Sequence, residues 1–285
     1  MPAFHHVGIC VDYSEASEKA VQLGRALAGK GTTLSVVNAV ASPMVHRVLE
    51  VMGLEQFDPM DNARERVESM ARGTGASPVV LEGRPAPAVV EWAERESVDL
   101  LVAAEHGGLV ERATTGSFTT HLAYHSPCSV AIARTDDGNV TEDGFSHVVA
   151  CVDDSDAALG SLDLAAALAT EFGARLTIIH SVASLAHVDP RFSRYYETIR
   201  ESAQQLVDHL GSQYDAQAVL VDGHPGSSIS HWAKENEADL LVAAAHRDVS
   251  QRALLGSFAG FLAHHAPCPV VLTRPSPSAD GFLLT

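Results

Sequence analysis

No apolar run in the 285 residues approaches the ~18–20 that a membrane helix needs, so a helical membrane span is excluded. Residues 1–10 hold no basic segment ahead of an apolar one. A secretory leader is therefore not expected, and a cytoplasmic location is. Lysine is scarce, three residues against 16 arginines, which leaves few candidates for phosphoryl transfer by lysine. No G-x4-G-K-[ST] loop, G-x-S-x-G elbow or H-E-x-x-H helix occurs. Basic charge is short overall: 19 Lys plus Arg against 36 Asp plus Glu give a formal net charge of −17. The deficit is shared, −7 over residues 1–140 and −10 over 141–285. Neither half has a basic stripe, which argues against nucleic-acid and anionic-membrane partners. A free nucleotide needs only local donors and is not excluded. The four cysteines form no C-x-x-C. Each lies beside an apolar strand pattern, so they read as buried, reduced fillers.

What the chain does have is a copy of itself. Gly116-Ser117-Phe118 recurs 140 residues later as Gly256-Ser257-Phe258, His106 as His246, and Pro127-Cys128 as Pro267-Cys268. Gly83-x-Pro85 returns as Gly223-x-Pro225, and Trp92-Ala93 as Trp232-Ala233. Near the start the offset is 141, pairing His6 with His147 and Cys10-Val11-Asp12 with Cys151-Val152-Asp153. One small indel accounts for the drift. A unit of about 140 residues fits one compact α/β domain and is far longer than a solenoid repeat. The expected division is domain 1 at residues 1–135, a polar acidic linker at 136–145, domain 2 at 146–275, and a tail at 276–285.

Each repeat alternates short β-rich runs with helical stretches. In the first, strands are expected at His5–Val11, Thr33–Ala39, Pro78–Leu81, Leu100–Ala103 and Ser129–Ala133, with helices at Ser14–Ala28 and near 61–72, 87–96 and 116–125. In the second, strands are expected near 147–152, 175–182, 217–221, 239–244 and 269–273, and helices near 156–171, 190–211, 227–236 and 256–265. Such alternation predicts a parallel sheet with right-handed crossovers. Leu100–Ala104 and Leu240–Ala244 are apolar throughout, as strands covered on both faces are. Trp92 and Trp232 share one helix position and read as packing residues.

An open parallel sheet binds ligands beyond the carboxyl ends of its strands. Three segments of each repeat point there: the turn after strand one (Asp12, Asp153), the loop after strand four (Glu105-His106-Gly107, Ala245-His246-Arg247), and the start of the last helix (Gly116-Ser117, Gly256-Ser257). A Gly-Ser start leaves backbone N–H groups and a hydroxyl for phosphate oxygens. A carboxylate past strand one can accept from a ribose hydroxyl or an adenine amine. Both sets also read as simple helix caps, and duplication copies caps as readily as sites.

These segments carry a resemblance. Val11-Asp12-x-Ser14, Asp99-Leu100-Leu101-Val102, His106-Gly107, Gly116-Ser117 and Leu122-Ala123-x-His125-Ser126-Pro127-Cys128 resemble the universal stress protein family. So do Val152-Asp153-x-Ser155, Asp239-Leu240-Leu241-Val242, His246, Gly256-Ser257 and Leu262–Val270. The likeness is to the tandem form, over nearly the whole chain. It implies two Rossmann-like, adenine nucleotide alpha hydrolase-like α/β domains, each a five-stranded parallel sheet in order 3-2-1-4-5. It implies pairing through the last strand, here an intrachain pseudo-dimer, with room for a homodimer. It also implies a regulatory or protective role in stress, with ATP or AMP as ligand and Mg only as the nucleotide's companion. Carried over residue by residue, the first site is Asp12, Ala39, Ala104, His106, Gly107, Gly116 and Ser117. The second is Asp153, Ser181, Ala244, His246, Arg247, Gly256 and Ser257. The family's G-x2-G-x9-G-[ST] pattern is eroded: Ala104 and Ala244 replace the opening glycine, Gly116 follows Gly107 one residue early, and Arg247 replaces the second glycine of domain 2. A Cβ at 104 or 244 narrows the approach to phosphate. Domain 1 is thus the better expected site, and a nucleotide-free interaction scaffold is the alternative. Slow ATP hydrolysis has only Glu105, His106 and His246 as bases.

The fifteen histidines raise a metal site. His121 and His125 are four apart on an expected helix, but position 261 in the second repeat is Phe, and no third ligand joins them. No metal site is expected. Between strands two and three the repeats diverge into apolar sets, Met44 to Phe57 and Phe192 to Ile199, suited equally to a lid or a partner surface.

Overall fold

The computed structural model describes residues 2–40, 59–105, 118–134, 144–153, 155–183, 193–245 and 258–274. The chain divides into two compact units, Met1–Thr135 and Asp136–Thr285. Unit 1 runs β1 (His6–Cys10), α1 (Glu15–Leu27), β2 (Thr33–Val40), α2 (Pro59–Ala71), β3 (Ser77–Glu82), α3 (Pro85–Arg95), β4 (Leu100–Ala104), α4 (Phe118–His125) and β5 (Ser129–Ala133). Unit 2 repeats it: β6 (His147–Cys151), α5 (Asp156–Phe172), β7 (Arg175–Val182), α6 (Ser193–Tyr214), β8 (Gln217–Asp222), α7 (Pro225–Glu235), β9 (Leu240–Ala244), α8 (Phe258–His265) and β10 (Val270–Thr273).

All pairings within a unit are parallel. In unit 1, β1 lies between β2 and β4, with β3 outside β2 and β5 outside β4, which is order 3-2-1-4-5. Unit 2 has the same order as β8-β7-β6-β9-β10. Right-handed crossovers then put α1 and α2 on one face and α3 and α4 on the other. The packing agrees: Ile9 of β1 meets Gly24 of α1, while its neighbour Gly8 meets Trp92 of α3. Successive strand residues face opposite layers. β4 and β9 are buried at every position, as their uninterrupted apolar sequence requires.

The helix starts follow local chemistry. α3 and α7 begin at Pro85 and Pro225, two residues earlier than the apolar spacing suggests. Proline suits the first helical position because its missing N–H is not needed there. Gly83 and Gly223 precede them at φ 131° and 124°, a region that L side chains rarely adopt. Their N–H groups donate to Val40 and Val182 carbonyls, tying the ends of β3 and β8 to their neighbours.

At the amino edge the two aspartates of the Asp-Leu-Leu-Val repeats act as clamps. Asp99 accepts the backbone N–H of His5 (2.7 Å) and His6 (2.9 Å). Asp239 accepts those of Ser146 (2.7 Å) and His147 (2.9 Å). Trp92 is 4% exposed and lies edge-on to His6 at 5.7 Å. Trp232 is only half-buried, because Val149 stands where Gly8 opens a slot for its counterpart. All four cysteines are free thiols and buried. Burial pushes the Cys151 thiol up to about 12 and raises Cys10 likewise, so neither is a thiolate near neutral pH.

Candidate functional site

β1 ends against β2 through Val11 N–H donating to Val37 O (2.9 Å). The Val11 carbonyl is held by buried Asn38, whose Nδ2 donates to it at 2.7 Å. In unit 2 His180 takes that role, its Nδ1 donating to Val152 O at 2.7 Å. A carbonyl acceptor requires the proton on Nδ1, which fixes the tautomer of the neutral ring. Sequence reading missed both residues.

The next residue is the first expected site carboxylate. Asp12 is exposed, and its Oδ1 accepts from Ser14 N (3.1 Å), Ser14 Oγ (2.6 Å) and Ser17 Oγ (2.8 Å). Its own N–H donates to Ser17 Oγ (2.9 Å). Asp12 therefore organises the turn from two residues ahead of the N-cap, and Ser14 holds the N-cap position. Asp153 repeats this, accepting Ser155 N at 3.0 Å and the Ser155 hydroxyl. There Ser155 also caps α5 by accepting Ala158 N–H (3.3 Å), because Ala158 replaces Ser17.

Tyr13 completes the turn in unit 1 with φ 69°, a conformation unusual for a side-chain-bearing residue. Its hydroxyl donates to Ala63 O of α2 (3.0 Å), and the Arg66 guanidinium lies 4.0 Å above its ring. Burial raises the Tyr13 phenol's pKa, and Arg66 works in the opposite direction. This brace between the turn and α2 was another contact the sequence did not announce.

Beside the turn, Ala39 is half-buried and offers only a methyl. Its counterpart Ser181 donates its hydroxyl to Gly223 O (3.1 Å) and meets Ser228 Oγ at 3.1 Å. Ala104 and Ala244, at the ends of β4 and β9, are buried. The next residue separates the units. Glu105 is 5% exposed and forms an ion pair with Arg134, itself 9% exposed. Unit 2 has Ala245 there, with Arg274 matching Arg134. The Glu105 carboxylate is thus engaged by a guanidinium, which is poor placement for a catalytic base. The repeat of Arg134 as Arg274 was a usable sequence signal for this corner.

His106, Gly107, Gly116 and Ser117, and likewise His246, Arg247, Gly256 and Ser257, lie outside the described residues, as do Met44 to Phe57 and Phe192. Among the expected site residues, the described structure therefore places Ala39 and Ala104 in strands of unit 1 with Asp12 in the turn after β1, and Ser181 and Ala244 in strands of unit 2 with Asp153 in the turn after β6. Among the described residues, no three His, Cys, Asp or Glu side chains gather as a metal site would require. His121 and His125 stack at 4.4 Å. No described helix is long and apolar enough to cross a membrane.

The universal stress protein model matches residues 3–134 and 144–274. A universal stress protein of Mycobacterium tuberculosis (strain ATCC 25618 / H37Rv) is 25% identical over 199 residues, covering 67% of this chain and 66% of that protein. The chain thus spans about two thirds of the length of the mycobacterial relatives it matches. The crystal structure of a universal stress protein from Archaeoglobus fulgidus DSM 4304 covers 97% of this chain and 98% of its own. Its TM-score is 0.68 at 15% identity, a likeness of fold. A universal stress protein solved in complex with cAMP matches 47% of this chain at 23% identity and a TM-score of 0.38. With one match over each sheet unit, the chain belongs to the universal stress protein family and carries two of its domains in tandem.

Proposed function

We propose that this protein is a stress-response regulator or protective factor of the cytoplasm that binds an adenine nucleotide, ATP or AMP, at the carboxyl edge of its first sheet. The observation that carries this reading is the turn after β1. Asp12 is exposed beyond the strand end, with Oδ1 fixed by three hydrogen bonds, and Ala39 lies at the end of β2, the strand paired with β1. A fixed carboxylate with a small apolar side chain at the end of the paired strand suits a ribose hydroxyl or adenine amine lying flat against the sheet. The residues His106, Gly107, Gly116 and Ser117 would receive the phosphates, with Mg arriving on the nucleotide. Domain 2 is the weaker site in this reading, because Ser181 puts a hydroxyl where Ala39 has a methyl, and Arg247 replaces Gly107.

A specific feature favours a second reading, a nucleotide-free scaffold. Ala104 and Ala244 both put a Cβ at the opening glycine position, and the Glu105–Arg134 pair fills the adjacent strand end of domain 1. Mass spectrometry of denatured protein and calorimetry with ATP and AMP separate the two. Under the first reading, nucleotide co-purifies or binds with measurable heat, Asp12→Ala weakens binding at least about tenfold, the loss of one charge-assisted hydrogen bond, and Asp153→Ala does not. Absence of heat and of thermal shift at millimolar nucleotide leaves the scaffold.

A further inference from the structure

The last helix of each domain is an eight-residue segment, and the two copies differ at four positions, one of which exchanges His121 for Phe261. In domain 1, α4 stacks His121 on His125, ring centroids 4.4 Å apart and planes tilted by 39°. In domain 2, α8 has Phe261 on His265 at 4.5 Å and 45°. The geometry is conserved between the copies while the inner ring changes from imidazole to benzene.

The surroundings of the two rings differ in charge as well. Facing His121 from the head of α3 is Arg84; from its own helix comes His125. The other charged side chains of α3, Glu91, Glu94 and Arg95, are exposed. β5, on which α4 rests, has no titratable side chain in Ser129–Ala133. Burial, His125 and Arg84 all hold the His121 proton affinity below the ordinary histidine value. In domain 2, His224 replaces Arg84 and lies 6.3 Å from Phe261, and His264 lies 6.4 Å from His265. There Phe261 lies near both the His224 and the His265 imidazoles.

A metal ion shared by His121 and His125 is a poor occupant of this corner, since Arg84 repels it and no third ligand gathers among the described residues. Protons suit it better. We infer that the His121–His125 ring pair, with Arg84 as a further cation nearby, makes α4 an acid-sensitive element: charging both imidazoles puts like charges in ring contact and loosens α4 from α3 and β5. α8, with Phe261 at the centre, lacks this response. α4 follows directly on Gly116-Ser117 in the chain. The inference does not depend on whether a nucleotide binds.

The sign of the effect is fixed by the direction of the shift. A histidine whose native affinity for protons is lowered contributes stability that is complete above its unfolded value of 6.5. That contribution is lost as pH falls through the lower native value. Amide exchange of the full chain, followed by mass spectrometry near pH 7.5 and near pH 5 and corrected for intrinsic rates, reads the helices separately. The peptide spanning 118–125 should lose protection severalfold in acid, the direction that a lowered native proton affinity requires. The 258–265 peptide of the same molecule should not. His121→Phe, which installs the domain 2 residue, should abolish the loss, and His121→Gln gives a second uncharged test should the phenyl ring disturb packing. Equal protection of 118–125 at both pH values overturns the inference. So does a loss of the same size that persists in both variants.

Discussion

His147 shows how one side chain couples packing to pH. It is 2% exposed, with Nε2 2.9 Å from Thr177 Oγ1 and Nδ1 3.1 Å from the Asn236 carbonyl. Arg175 Nη2 lies 2.7 Å from the same Nδ1. Burial first and Arg175 second lower its proton affinity, against weaker upward pulls from the Asn236 carbonyl, Asp239 and the backbone at Glu237. The native protein therefore keeps the ring neutral, while the unfolded chain takes up a proton near 6.5. Its contribution to stability is complete above that value and declines as pH falls through the lower native one. His147→Gln keeps hydrogen-bonding capacity but does not titrate. The stability advantage of the natural protein over this variant, from urea unfolding, should shrink between about pH 7.5 and about pH 5, the range in which histidine changes charge. An advantage that stays constant would mean the ring is already protonated, or never protonated, in both states.

The packing of β1 on α3 explains why two copies of one element are not interchangeable. A Cβ added at Gly8 would lie 2.8 Å from Trp92 Cζ3, closer than real Cβ contacts come, and a tight 3.0 Å from Leu101 Cδ2. The slot in β1 is what lets Trp92 sink to 4% exposure, and Val149 denies it to Trp232. Gly8→Val should destabilise domain 1 by roughly 1–3 kcal/mol, as overpacking of a close-packed core does. It should also move the Trp92 emission toward longer wavelength as the ring is displaced into solvent. Placing the substitution in a Trp232→Phe background makes Trp92 the sole reporter, since the chain has two tryptophans. Unchanged emission and stability would show that α3 can shift to make room.

These elements also mark how far the sequence could be read. Each strand of both sheets begins within one residue of the expected position, because buried parallel strands are uninterrupted apolar runs that end at polar turns. The starts of α3 and α7 were placed late, since a proline at the first helical position has no apolar periodicity to announce it. Duplication pointed to Asp12 and Asp153 at once, yet not to what they touch. Asn38 reaches Val11 across 27 residues, Tyr13 reaches Ala63 across 50, and Glu105 meets Arg134 across 29. Those separations are set by the crossover topology. The Asn38-to-His180 exchange hides even from repeat alignment, because an amide and an imidazole perform one donor role.

Over the whole molecule, the net charge of −17 is the feature that no local contact offsets. Both repeats share it, so each domain is compacted against repulsion among its own carboxylates. Several described ion pairs are exposed, such as Arg64–Asp61, Arg95–Glu96 and Arg200–Asp222. Pairs of that kind contribute little, about 0–1 kcal/mol each. Salt screens them and the repulsion together, and the long-range repulsion is the larger sum when one sign outnumbers the other nearly two to one. Raising ionic strength from ~0.01 M to ~0.15 M shortens the screening length from about 30 Å to about 8 Å, well inside the span of a domain. The melting temperature should therefore rise with sodium chloride over that interval, by the same amount with potassium chloride, because the effect is screening and needs no specific cation. A melting temperature that falls with salt would show that the exposed pairs outweigh the repulsion. A rise confined to one cation would place the stabilisation at a bound ion instead.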